Sequence, residues 1–224
     1  MRNFKKTLSF LLSTVIIVSS VVGVGTTVFA ATDEHTYKNF KYRILDDNTA
    51  EICGYTGKNA VVTVPDSIDS KPVTSIGRTA FYSGKIKEVT IPNTVRSIKW
   101  WAFYGCESLE KINLNFGLKT VGYGAFMNCK KLKSVSIPMS VTQICDDSFA
   151  VSCSTQKGVF DTYSKQTIST QQYSTDSSFT LEGYSGTVAE KYCNDNSLNF
   201  VSSGNVIYGD VDNNGTVEAA DAKL

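Results

Sequence analysis

A phenylalanine returns every 22 or 23 residues through the middle of this 224-residue chain. Phe81, Phe103, Phe126 and Phe149 close four aligned segments that begin at Ile76, Ile98, Val121 and Ile144. Other apolar columns keep the same period: Ile86, Leu109, Leu132; Val89, Ile112, Val135; Ile91, Leu114, Ile137; Val95, Leu118, Val141. Pro92 and Pro138 share a column with Asn115, and Val62, Val64, Pro65 and Ile68 open the array as a weaker copy. A fixed period near 23 with this many apolar columns specifies a solenoid, because one repeat is too small to bury its own apolar surface and stacked repeats share one long core.

Within a repeat, Val89 and Ile91 alternate with Glu88 and Thr90, the period-two pattern of a half-buried strand. Proline just after it ends the hydrogen-bonded ladder. The Ala-Phe segment lies on a longer arc and is expected to be a short helix or turn, with the phenylalanine as its core plug. The expected fold class is therefore an α/β repeat solenoid of period about 23.

The N-terminus reads as an export signal over residues 1–30. Arg2, Lys5 and Lys6 precede an apolar run from Leu8 to Val28, which ends in Val28-Phe29-Ala30-Ala31. That is the order of a charged region, an apolar region and a small-residue cleavage site. The run is also long enough for an uncleaved anchor. Removing the three basic residues from a total of 22 leaves 19 against 21 acidic ones, a net charge of −2. Such a balance gives no support to nucleic-acid binding, and after cleavage no membrane segment is expected. A secreted or surface protein follows. A single histidine, His35, argues against imidazole-based catalysis and His-rich zinc sites.

The pattern Ile-Gly-x-x-Ala-Phe-x-x-Cys-x-x-Leu-x-x-Val-x-Ile-Pro resembles the BspA-like bacterial surface leucine-rich repeats. The resemblance covers residues 42–200. It includes an opening unit, AEICGYTGKNAVVTVPDSIDSKPVTSIGRTAF, and a terminal unit, FTLEGYSGTVAEKYCNDNSLNF, where Ala189, Tyr192 and Leu198 are expected on a capping helix that begins near Thr187. Ser154 to Ser178, rich in Ser, Thr and Gln, departs from the pattern and is expected to be an insertion, partly loop. The resemblance implies a secreted or surface protein that binds other proteins, host surfaces or glycans, and it implies no catalytic residues.

On the strand, Glu88, Lys111 and Ser134 form one outward column, and Thr90, Asn113 and Ser136 another. A second stripe joins Arg78, Trp100, Tyr123 and Asp146, beside Tyr82 and Tyr104. Adjacent coils lie roughly 5 Å apart, which sets Trp100 beside Tyr123. Trp100, Tyr123 and Tyr104 are the candidate ligand-binding surface, since exposed aromatics stack on sugars or anchor protein partners; packing around Phe103 is the competing account. Cys106 and Cys129 share a column at a separation that allows either a disulfide or two free core thiols. Cys53, Cys145, Cys153 and Cys193 have no assigned partner.

The sharpest chemistry lies in the tail. Asp210, Asp212 and Asn214 place side-chain oxygens at positions 1, 3 and 5 of a twelve-residue loop, and Gly215 permits its sharp turn. Thr216 offers its carbonyl, Glu218 acts directly or through water, and Asp221 closes a site for calcium. With Asp rather than Glu at position 12, GDVDNNGTVEAAD departs from the general EF-hand pattern and resembles the first calcium repeat of a type I dockerin. That resemblance implies docking onto a cohesin module of a cellulosome-type scaffold, with Ala219 and Ala220 at the recognition positions. A dockerin has two such repeats, so residues 209–224 read as a partial module, an EF-hand-like dockerin calcium loop, joined by a linker at 201–208.

Two function classes compete. One is a secreted, non-catalytic binding protein, attached to an extracellular scaffold or acting as a cell-surface or host-directed adhesin. The other is an extracellular polysaccharide-active enzyme with its site in the 154–178 insertion, for which no nucleophile–base pair or paired-carboxylate motif is recognisable.

Overall fold

The computed structural model describes residues 34–149, 152–161, 166–174, 176 and 178–205. The expected signal at 1–30 and the expected calcium loop at 209–224 lie outside the described residues.

The described chain opens as an antiparallel meander of β1 (His35–Tyr37), β2 (Phe40–Ile44) and β3 (Ala50–Tyr55). Short strands then recur: β4 (Val61–Thr63), β5 (Ser67–Ile68), β6 (Lys71–Ile76), β7 (Glu88–Thr90), β8 (Ser97–Ile98), β9 (Lys111–Asn113), β10 (Thr120–Val121), β11 (Ser134–Ser136) and β12 (Gln143–Ile144). β4, β7 and β9 stack in parallel with Val62, Val89 and Ile112 in register. β6, β8, β10 and β12 form a second parallel sheet in which Ile76, Ile98, Val121 and Ile144 align. β3 joins this sheet alongside β6, and so ties the meander to the first coil. Sequence columns thus become physical rows one strand spacing apart.

A third ladder runs along the Ala-Phe arc. The amides of Phe81, Phe103 and Phe126 donate to the carbonyls of Ala102, Ala125 and Ser148 on the next coil at 2.7, 2.8 and 2.7 Å. Those of Ser83 and Gly105 donate to Tyr104 and Met127 at 2.7 and 2.9 Å. Two left-handed bends flank each of Phe81, Phe103 and Phe126, and one precedes Phe149. Thr79, Trp101, Gly124 and Asp147 occupy one column (φ 57°, 56°, 56° and 53°), and Ser83, Gly105 and Asn128 another (φ 51°, 70° and 62°). Repeated left-handed residues cannot continue an α-helix, so the arc is a chain of turns. The α/β expectation is corrected: among the described residues the coils are strand and turn, a β-solenoid.

The aromatic rings make one stack. Phe81, Phe103, Phe126 and Phe149 lie with centroids 4.8, 5.2 and 5.2 Å apart and planes within 9°. Phe40 and Tyr55 extend the stack at the N-terminal end, and Phe179 extends it beyond Phe149 at 5.3 Å. All six phenylalanines are buried. Asn115 replaces proline by folding back: its Oδ1 accepts from the Gly117 amide at 2.5 Å, and its Nδ2 donates to the Val95 carbonyl at 3.5 Å.

The expected insertion carries an antiparallel pair, β13 (Ser152–Asp161) and β14 (Gln166–Ser174). The coil then resumes at β15 (Thr180–Ser185), which lies parallel to β11, so the hairpin leaves the solenoid and returns without breaking its register. Asp176 secures the return: it accepts from Lys133 Nζ at 2.8 Å and from the amide and hydroxyl of Ser178 at 2.9 and 2.7 Å.

The expected terminal helix is present as α1 (Val188–Asn196), with Thr187 at its N-cap and Ala189, Tyr192 and Cys193 buried, but Leu198, expected on it, lies past its left-handed C-cap at Ser197. Tyr192 sets its ring edge-on to Phe149 at 5.9 Å and accepts the Phe149 amide at its hydroxyl at 3.4 Å. β16 (Asn199–Asn205) pairs in parallel with β15, taking Ser202–Asn205 into the sheet where a linker was expected.

Candidate functional site

The exposed face of β7, β9 and β11 carries the two polar columns expected of it, and on β7 and β9 their groups satisfy one another. Lys111 Nζ lies 3.1 Å from Glu88, and Asn113 Nδ2 donates to Glu88 Oε1 at 2.9 Å and to Thr90 Oγ1 at 3.2 Å. This pairing marks a solvated sheet surface rather than groups waiting for a ligand.

The arc side differs, because it presents aromatic rings. Trp100 is 57% exposed and Tyr82 is 56% exposed. Tyr82 stacks on Tyr104 at 5.3 Å with planes 7° apart, and Tyr104 Oη accepts from Asn128 Nδ2 at 3.1 Å. The backbone keeps Trp100 and Tyr123 in one column on adjacent coils, the Trp101 amide donating to the Tyr123 carbonyl at 3.0 Å. It is Trp101 that meets Tyr123, edge-on at 6.1 Å, and the Arg78 guanidinium covers the same indole at 4.8 Å. The left-handed Trp101 backbone turns that side chain along the coil, while Trp100 points to solvent. A Cβ on Gly124, the next residue in the Trp101 column, would sit 2.7 Å from Trp101 Cδ1. That glycine is the sequence signal for Trp101: its column is the one with space for an indole. Trp100 and Tyr104 therefore remain ligand candidates, and Tyr123 is held against Trp101.

Two clefts adjoin the tyrosine stack. One of about 340 Å³ is lined by Tyr55, Lys58, Tyr82, Lys85 and the Glu34–Lys41 pair, among others. The other, about 430 Å³, is lined by Ser83, Lys85, Tyr104, Glu107 and Asn128, among others. Gly84 and Lys85 border both.

At the N-terminal end a buried carboxylate joins three strands. Glu51 on β3 is 1% exposed and accepts from Arg43 Nη2 at 2.5 Å, from Ser75 Oγ at 2.7 Å and from Lys99 Nζ. Burial pushes its carboxyl up, but the hydrogen bonds of Lys99 and Ser75 and the charges of Lys99 and Arg43 outweigh it and hold Glu51 below the ordinary value. This is a structural tie, with both strongest partners on the solenoid.

The cysteine column resolves as free thiols. Cys106 and Cys129 are buried, and their Sγ atoms donate to the carbonyls of Phe81 and Phe103 at 3.0 and 3.3 Å. The neighbouring Cys106 sulfur and burial hold Cys129 well above the ordinary thiol value. Burial, with the charge of Glu51, pushes Cys53 up to about 11. Among the described residues no group of three or more His, Cys, Asp or Glu side chains could hold a metal ion. No described helix is long and apolar enough to cross a membrane.

Stacked coils of period 23, buried columns on short parallel strands and an aromatic spine define a leucine-rich-repeat solenoid. The BspA type leucine rich repeat region matches residues 63–181 in six copies, more than half of the chain, and the chain belongs to that family. Among solved structures, a leucine-rich repeat protein from Bacteroides capillosus is 31% identical over 50% of this chain and 88% of its own, with a TM-score of 0.49. The T. pallidum leucine rich repeat protein is 30% identical over 52% of this chain and 66% of its own, with a TM-score of 0.44. A leucine rich cell surface protein from Faecalibacterium prausnitzii is 25% identical over 69% of this chain, with a TM-score of 0.46; the matched part is 46% of that protein. No curated protein matches the chain.

Proposed function

We propose that this is a secreted or surface-attached, non-catalytic binding protein whose solenoid presents an aromatic arc to a protein or polysaccharide. The observation that carries this reading is the contrast between the two faces. The sheet face pairs its polar groups internally, while the arc leaves Trp100 and the outer face of Tyr82 open to solvent on a rigid, thrice-laddered backbone. Exposed aromatics on a stiff support lose little conformational entropy on binding and supply large contact areas. Family membership and the N-terminal order of charged, apolar and small residues support the extracellular location.

The calcium loop adds the mode of attachment. Asp210, Asp212, Asn214, Thr216, Glu218 and Asp221 are proposed to hold calcium and to serve cohesin binding on a scaffold; the support is their spacing alone. Adhesion to a host or cell surface without a scaffold is the alternative attachment.

Trp100→Ala tests the solenoid reading. Ligand binding, screened by immobilised glycans and surface proteins, is expected to weaken at least tenfold while Tm shifts by less than about 2 °C, as an exposed side chain away from the core allows. A drop in Tm with unchanged binding would return Trp100 to a packing role.

A further inference from the structure

We infer that the 340 Å³ cleft beside Tyr82 is a subsite for an acidic saccharide. This rests on the binding role proposed above and names the ligand class for one part of the arc. Tyr104 covers one face of the Tyr82 ring, and Tyr82 itself lines the cleft. The apolar lining residues Ala80, Phe81 and Ile86 are buried at 3, 3 and 2% exposure, so they offer no pocket for a hydrophobic side chain. What the cleft presents is the exposed Tyr82 ring, with the half-buried Tyr55 also in the lining, among polar groups: Lys58, Asn59, Thr79 and Lys85, with the Glu34–Lys41 pair at 3.9 Å. A pyranose has that complementary shape, an apolar C–H face for the ring and equatorial hydroxyls for the polar rim.

The charge narrows the class. Lys41 is neutralised by Glu34, whereas Lys58 and Lys85 are exposed and have no carboxylate within ion-pair distance among the described residues. Two unpaired ammonium groups beside one aromatic face favour a sugar that carries a carboxylate. An extended acidic peptide would use the charges but leave the ring face without a partner of its own. The volume suits one or two sugar rings, at the small end of ligand sites.

The test is calorimetric titration of the full chain with trigalacturonate, with a sialylated trisaccharide, with neutral maltotriose and with a decaglutamate peptide. Binding of either acidic saccharide, at least tenfold tighter than maltotriose and decaglutamate, is expected, and the better of the two names the source. Tyr82→Ala should weaken that binding tenfold or more with Tm unchanged. Lys85→Gln should bring the acidic sugar close to the neutral one, and raising salt should act the same way. Equal binding of decaglutamate, or unchanged saccharide binding in Tyr82→Ala, would overturn the subsite. If Trp100→Ala abolishes saccharide binding and Tyr82→Ala does not, the subsite fails while the arc reading stands. If no acidic saccharide binds, the subsite fails too, and ligand capture by the glycan and protein screen then decides the arc reading separately.

Discussion

Glu51 shows how a single residue can be structural in a place that looks chemical. A buried carboxylate touched by two cations and a hydroxyl has the makings of a catalytic centre. Here its donors are Arg43, Ser75 and Lys99, which tie the N-terminal meander to the first two coils. Removing one partner of such a group costs about 2–4 kcal/mol, the lower part of that range applying because Arg43 and Lys99 are partly exposed. Glu51→Gln is therefore expected to lower Tm by several degrees at pH 7. The sign of the pH dependence follows from its depressed folded-state value: the stabilisation is complete above the ordinary value of 4.5 and is lost as pH falls through the lower folded value. Melting curves of wild type and Glu51→Gln should converge as pH falls from 4.5 through that lower value. A gap that widens toward acid would show that the carboxylate is not held by its cations. None of the three partners was legible in the sequence, because Arg43, Ser75 and Lys99 meet Glu51 only once β2, β3, β6 and β8 lie side by side.

Elements were legible to the extent that they followed the period. The columns Val62–Val89–Ile112 and Ile76–Ile98–Val121–Ile144 align as the spacing required, since a residue every 23 positions returns to the same place on each coil. The arc was less legible. Its two left-handed columns are filled mostly by Thr79, Ser83, Trp101, Asn128 and Asp147 rather than by glycine, so the usual mark of positive φ is missing. For the same reason the sequence reading missed that the Trp101 ring turns toward Tyr123. Phe179 escaped because the β13–β14 hairpin stretches the interval from Phe149 to 30 residues. Phe103 stacks on both Phe81 and Phe126, so Phe103→Ala removes a large buried side chain and two ring contacts. The expected cost is about 4 kcal/mol, or roughly 10 °C in Tm. Differential scanning calorimetry of Phe103→Ala against wild type measures it, and a shift under about 3 °C would mean the rings do not share one core.

For the molecule as a whole, stability is a sum over neighbouring coils closed by two caps. The meander with Phe40 and Tyr55 closes one end, and α1 with Tyr192 and the β15–β16 pair closes the other. The proposed calcium loop lies beyond this closed body in sequence. Chelation is accordingly expected to change protease nicking near residues 209–224 and to leave the far-ultraviolet circular dichroism of the solenoid unaltered. Loss of the whole fold on chelation would contradict the two-module reading. The binding role stays at the same scale, because it depends on the coils holding Trp100, Tyr82 and Tyr104 on one rigid arc.

That rigidity comes from three inter-coil ladders, and the one on the arc is the least expected of them. Amide hydrogen exchange, resolved by residue, addresses it directly. The amides of Phe81, Phe103 and Phe126, each bonded to the next coil at 2.7–2.8 Å, are predicted to exchange as slowly as those of Val89 and Ile112 in the strands and to be lost together with them on global unfolding. Fast exchange at the three phenylalanines, with protection kept in the strands, would contradict a solenoid sealed on every side by stacked coils.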